Sequence, residues 1–314
     1  MKTTTIENST AFSPGTVTLL VLVAFLGALC FPLINLGLES APPLTFAGLR
    51  AVIAGAVLVV IALLLGRPLP RGGRVWSGLV LVGFSATSLG FFGMFIGGGQ
   101  VNPGLATVIE NTQPLIASVL AWMILGEALG PGRRLGLALG FAGIFLIALP
   151  RFMNQEGAGS PTGIFYLLGG ACGVALGNVL LKCLTGRADP LMVVGWQLLI
   201  GSLPLLIAGH IVEAGVSSIN WGRDFLFALL TLSLLGSALA SLLWFKLLRR
   251  AALGRLTTFS FLTPVFGLIL GLALFGERLG GVEILGIAVA LFGAWQVTRS
   301  GHGHTGRALC RAAE

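Results

Sequence analysis

Two ionisable residues, Arg50 and Glu110, stand inside long apolar stretches of the chain. An unpaired charge at membrane depth costs several kcal/mol, so each must pair or face water. A guanidinium can hold a carboxylate through two parallel hydrogen bonds. A carboxyl group can bind a cation or carry a proton. Arg50 lies roughly 12 Å and Glu110 roughly 9 Å below one end of its apolar stretch, at 1.5 Å per residue. Similar depth suggests one shared cavity, or else an ion pair between two helices. Asn178, Trp196 and Gln197 are further polar or aromatic candidates inside apolar runs. Trp196 could stack on a planar group or sit over a cation. Asn178 and Gln197 could line a cavity or make interhelical hydrogen bonds. Lys182, one turn beyond Asn178, is expected to reach up to the polar surface. Pro114 and Pro264 each leave a helical carbonyl without its partner, and a broken helix end at membrane depth can coordinate a ligand; each could equally be a packing kink.

Other chemistries find no support. No HExxH occurs, and the serines have no evident His and acidic partners. None of the three lysines follows a glycine, so no Walker A sequence is present. The four cysteines lie far apart, without a CxxC pair. His302 and His304, in a polar tail, make a poor metal site. The chain is therefore expected to be no enzyme and to need neither cofactor nor metal.

The elements that must position these residues follow from composition. Of 314 residues, 55% are hydrophobic and 10% charged. A soluble domain carries about 25% charged residues, so this chain cannot wet its own surface and its solvent is lipid. Ten segments have the length of a span: 15–38, 42–65, 74–98, 103–125, 131–150, 161–184, 190–212, 224–248, 254–275 and 281–298. They group into 15–150 and 161–298, with tails 1–14 and 299–314. The net charge of +8 is carried mostly by loops, tails and the ends of spans. With the N-terminus inside, fifteen of the nineteen basic residues fall on the inner side. Arg151, Arg223 and Arg278 fall outside, and Arg50 lies within a span. That bias predicts both termini in the cytoplasm and explains the charge without nucleic acid.

The two groups repeat one another. Residues 104–143 shifted by 150 match at twelve of forty positions, including Pro114 with Pro264 and Gly126-Glu127 with Gly276-Glu277. A shift of 147 aligns Pro43-Leu44 with Pro190-Leu191 and sets Gln197 opposite Arg50. Five spans is an odd number, so the second copy is inverted. The expected fold is an all-α integral membrane protein of ten transmembrane helices in two inverted five-helix repeats. Secondary transporters commonly place their substrate site at such a repeat interface. Glu127 and Glu277 each stand in a turn before a helix, where negative charge complements the helix dipole. With Gly126 and Gly276 they are read as structural turns.

The stretches Asn111-Thr112-Gln113-Pro114 to Gly126-Glu127-Ala128-Leu129 and Leu262-Thr263-Pro264 to Gly276-Glu277-Arg278-Leu279, with Trp196-Gln197, resemble the EamA-like ten-helix exporters of the drug/metabolite transporter superfamily. The resemblance runs from about 15 to 298. It implies a secondary carrier working by alternating access, with a central cavity between two halves. The expected cargo is a small metabolite such as an amino acid or organic cation, exported across a bacterial cytoplasmic membrane. A coupling proton and a homodimer are left open. A channel or membrane-embedded enzyme is the alternative.

Overall fold

The computed structural model describes residues 14–101, 103–126, 130–153, 160–213, 215–251, 253–256, 259, 262–275 and 280–299. Its described residues form helices and turns, with no strand among them. Among the described residues, six helical stretches are long and apolar enough to cross a membrane: Gly15–Leu38, Pro43–Leu64, Gly73–Gly98, Pro161–Cys183, Pro190–Val212 and Arg223–Arg250. They coincide with six of the predicted spans to within a few residues. Prolines open several of them, where the missing N–H costs nothing. Ser160 caps α9 (Pro161–Cys183) and Asp189 caps α10 (Pro190–Val212), each accepting from a backbone N–H two residues on.

Three of the helical stretches are broken in ways that matter for the cavity. The predicted fourth span is two helices, α6 (Pro103–Glu110) and α7 (Gln113–Leu125), separated by a turn at Asn111-Thr112. Pro114 stands in the first turn of α7 and cannot donate back to Glu110, which is why the helix stops there. Gly126 ends α7 in a left-handed conformation at φ 66°. Pro264 is the third residue of α14 (Leu262–Phe275). Glu127, Gly276 and Glu277 lie outside the described residues. The stretch Gly73–Gly98 is α4 (Gly73–Val82) and α5 (Gly90–Gly98) joined by a π-helical segment, Gly83–Leu89. The stretch Arg223–Arg250 is likewise α11 (Arg223–Thr231) and α12 (Ala240–Arg250) joined through Leu232–Leu239. Such π bulges are rare and recur at functional sites.

Glycine sets the helix spacing, since lipid supplies little drive for helix association and close van der Waals approach must. A Cβ on Gly55 of α3 (Pro43–Leu64) would lie 2.8 Å from the Gly195 carbonyl oxygen of α10. One on Gly93 of α5 would lie 2.3 Å from the Tyr166 oxygen of α9. One on Gly293 of α15 (Gly281–Arg299) would lie 2.7 Å from the Gly136 oxygen of α8 (Pro131–Met153). Contacts of Gly48 with Leu206 and of Gly209 with Thr45 show α3 and α10 running antiparallel.

Polar ties close both ends of that pair. Glu213, just past α10, accepts from the Leu44 and Thr45 N–H groups and from the Thr45 hydroxyl at 2.9–3.1 Å, capping α3. At the other end, Arg67 reaches Asp189 at 3.7 Å. Lys182 does not simply reach up to the surface as expected. Its ammonium donates to the Leu248 and Ala251 carbonyls, capping the end of α12.

Candidate functional site

A cavity of about 240 Å³ lies between the helices. Arg50 from α3, Glu110 at the end of α6, Asn178 from α9 and Gln197 from α10 all line it. The break between α6 and α7 adds Asn111 and Gln113. Leu20, Val23, Phe91, Leu198, Trp244 and Phe259 supply much of the apolar wall.

Arg50 is only 2% exposed. Its Nε donates to the Ser237 hydroxyl at 2.7 Å, within the second π segment. Its Nη2 lies 3.3 Å from Cys30 Sγ and 3.4 Å from the Gly236 carbonyl; Nη1 reaches Met94 Sδ at 3.7 Å. The guanidinium carbon stands 4.5 Å from the Phe91 ring centre and 5.7 Å from that of Phe95. Ring faces attract a cation by about 0.5–2 kcal/mol each, which helps hold the charge in place. They do not neutralise it. A guanidinium has five N–H donors. Here one meets a short oxygen contact, and three more contacts are to sulfur or a distant carbonyl. No carboxylate pairs with Arg50 among the described residues.

Glu110 is 8% exposed, and its Oε2 is buried without a hydrogen-bond partner among the described residues. The same holds for Thr112 Oγ1 in the helix break. The alternative of an Arg50–Glu110 ion pair therefore does not describe this structure. Both groups line one cavity, and neither satisfies the other.

A second polar group sits at the sequence positions related to the first. Thr87, in the first π segment, donates to Gln197 Oε1 at 3.4 Å. Thr87 and Ser237 are 150 residues apart, and Arg50 and Gln197 are 147 apart. The hydrogen bonds Arg50–Ser237 and Thr87–Gln197 are thus counterparts under the sequence offsets. Asn178 accepts from the Trp244 indole N–H at 2.8 Å while lining the cavity, so it serves both of its expected uses at once. Trp196 does not line the cavity. Its ring packs edge-on against Trp76 at 5.1 Å, and its Nε1 is buried without a partner among the described residues. Adjacent helical residues point about 100° apart, so Gln197 inside turns Trp196 away.

Ser237 and Thr87 were missed among the sequence candidates. The signal that could have found them was the repeat itself, since Thr87 shifted by 150 falls on Ser237. Glu213 was also missed, because its partners lie about 169 residues away in sequence.

A glycine-spaced bundle of apolar helices around a partly polar cavity defines a multi-pass membrane protein of the transporter class. The sequence model of the EamA-like transporter family matches residues 15–149 and 161–299. The chain belongs to that family, within the drug/metabolite transporter superfamily. It is 33% identical over 255 residues to the uncharacterized transporter YvbV of Bacillus subtilis, covering 81% of this chain and 82% of that one. It is 32% identical over 262 residues to the WAT1-related protein At3g02690 of Arabidopsis thaliana, a chloroplastic protein. That match covers 81% of this chain and 62% of the longer relative. A Salmonella typhimurium protein named probable amino-acid metabolite efflux pump is 27% identical over 287 residues, covering 88% and 92% of the two chains. A solved crystal structure superposes with a TM-score of 0.73 at 21% identity, over 92% of this chain and 98% of that one, which speaks to the fold alone.

Proposed function

We propose that the protein is a secondary carrier that exports a small carboxylate-bearing metabolite, of the amino-acid class, across a bacterial cytoplasmic membrane by alternating access. The observation that carries this reading is the Arg50 guanidinium: buried, lining a cavity, cradled by rings and a hydroxyl, and without a carboxylate partner. A substrate carboxylate would complete its donors. Glu110, lining the same cavity with an unpartnered oxygen, offers a place for a substrate ammonium group or a coupling proton. A simple organic cation fits less well, because Arg50 repels it. The cavity is smaller than the roughly 300–1,000 Å³ of drug-sized sites, which favours a small metabolite. The relative named as an amino-acid metabolite efflux pump agrees with that class.

Ten spans in two inverted five-helix repeats suit these contacts. The two π segments occupy corresponding positions, the paired hydroxyl contacts obey the two offsets, and the antiparallel α3–α10 pair brings corresponding helices together. The basic-residue bias favours both termini in the cytoplasm. The end of the cavity near Leu181, Trp244 and Leu256 then faces inward, and the Arg50 end lies nearer the outside.

The test is transport in proteoliposomes. Purified protein is loaded with a panel of amino acids and with the matching amines that lack the carboxylate. Exchange of at least one amino acid and none of its amine is expected. Exchange of the amines alone would sink the carboxylate reading, and a downhill leak saturating with no substrate would point to a channel.

A further inference from the structure

A second pocket, of about 430 Å³, lies away from the central cavity. Pro190, the first residue of α10, and Lys246, Arg249 and Arg250, on the last turns of α12, line it. The three cations are exposed and follow one another at spacings of three and one, on one helix face. The pocket sits where two apolar spans, Pro190–Val212 and Arg223–Arg250, meet the polar boundary.

The ordinary uses of such cations are already taken. Basic residues at a helix C-terminus often bond the last carbonyls. Here Lys182 occupies the Leu248 and Ala251 carbonyls. The carboxylate nearest in sequence to Pro190 is Asp189, which accepts from the Leu191 N–H and lies against Arg67. No carboxylate pairs with Lys246, Arg249 or Arg250 among the described residues. Toward the hydrocarbon the same helix face continues through Leu239 and Leu235, seven and eleven residues before Lys246 and both exposed. Three unneutralised cations below an exposed apolar strip match a phosphodiester headgroup below its acyl chains.

We propose that this pocket binds the headgroup phosphate of an anionic phospholipid, with Lys246, Arg249 and Arg250 as its ligands and Leu235 and Leu239 against the acyl chain. The site is independent of the transport cavity, and its test does not require a known transport substrate.

The experiment uses the full chain in a neutral detergent with three probes: dioleoylphosphatidylglycerol, dioleoylphosphatidylcholine and sodium phosphate. Binding is read from the melting temperature as each is titrated, since a ligand of the folded form raises it by mass action. The phosphatidylglycerol is expected to bind well ahead of the other two. In K246Q/R249Q/R250Q that preference should fall roughly 100-fold, at about fivefold per basic residue. Should the triple variant fail to fold, R249Q/R250Q and K246Q should each lose part of the preference. R71Q, which removes an exposed arginine elsewhere, should keep it. An unchanged preference in these pocket variants would overturn the proposal, as would equal binding of the phosphatidylcholine. Equal binding of inorganic phosphate and phosphatidylglycerol would reassign the pocket to free phosphate and overturn the lipid reading.

Discussion

The cavity has two polar centres built alike and charged differently. At one, Arg50 of α3 meets Ser237 of a π segment at 2.7 Å. At the other, Gln197 of α10 meets Thr87 of the other π segment at 3.4 Å. Both residues are buried, at 2% and 4% exposure. The surroundings differ with the charge. Arg50 has two ring faces, a thiol and a thioether around it; Gln197 accepts from the Thr87 hydroxyl. One scaffold thus holds a cation at one centre and a neutral amide at the other. The difference gives the cavity an electrical direction, which would orient a zwitterionic substrate of the proposed class in a way that a symmetric pair of amides could not.

Breaking the charged centre should have the largest effect. R50L is expected to cut proteoliposome exchange at least about 100-fold, as expected for losing a charge-assisted, bidentate substrate contact. Because no carboxylate is stranded by its loss, the variant should melt within a few degrees of the parent. A large fall in melting temperature would return Arg50 to a structural role.

Moving the charge should come next. Q197R adds a second buried cation beside a hydroxyl alone, without the rings of the first centre. On insertion scales such a charge costs about 3 kcal/mol, so a melting temperature lowered by several degrees is expected. Unchanged stability would mean that the two centres are equivalent and that the rings around Arg50 do little.

Trimming the hydroxyls sharpens the comparison further. S237A removes a hydrogen bond to a charged group, worth about 1.5–3 kcal/mol, whereas T87V removes a neutral one worth about 0.5–1.5 kcal/mol. Exchange should fall about tenfold or more in the first and a few-fold in the second. The reverse order would contradict the assignment of Arg50 as the stronger centre. Glu110 sets the smallest expected change in a static measurement but a distinct one in kinetics. If it carries the coupling proton, E110Q abolishes the pH dependence of exchange while leaving substrate binding in place. A pH profile identical to the parent's would remove Glu110 from that role.

Much of this was legible in the sequence, and the reasons for the exceptions are local. The six continuous spans are apolar runs bounded by Pro, Gly and basic turns, so length and hydropathy located them. Pro114, which has no N–H to give, left a broken helix and a packing kink open within span 103–125, and the chain stops its helix between Glu110 and Gln113. The similar depth of Arg50 and Glu110 left a shared cavity and an ion pair open, and both residues line one cavity. The π segments left no comparable mark, since Gly83–Leu89 and Leu232–Leu239 contain no residue that demands a wider turn. Without them the facing of Thr87 and Ser237 could not be placed. Trp196 was set in the cavity on its chemistry, although its neighbour Gln197 could occupy that face only by turning the indole outward. Lys182 looked free to climb to the surface because the carbonyls it caps belong to a helix more than sixty residues away.

The most direct measurement of the central claim uses Cys30, whose sulfur lies 3.3 Å from the guanidinium of Arg50. In a variant with Cys30 as the one remaining cysteine, its reaction rate is compared for an anionic and a cationic methanethiosulfonate of similar size. An accessible, unneutralised Arg50 predicts that the anionic reagent reacts faster, and that R50L removes or inverts the preference. Equal rates for the two reagents, unaffected by R50L, would contradict the account of Arg50 as an open anion site.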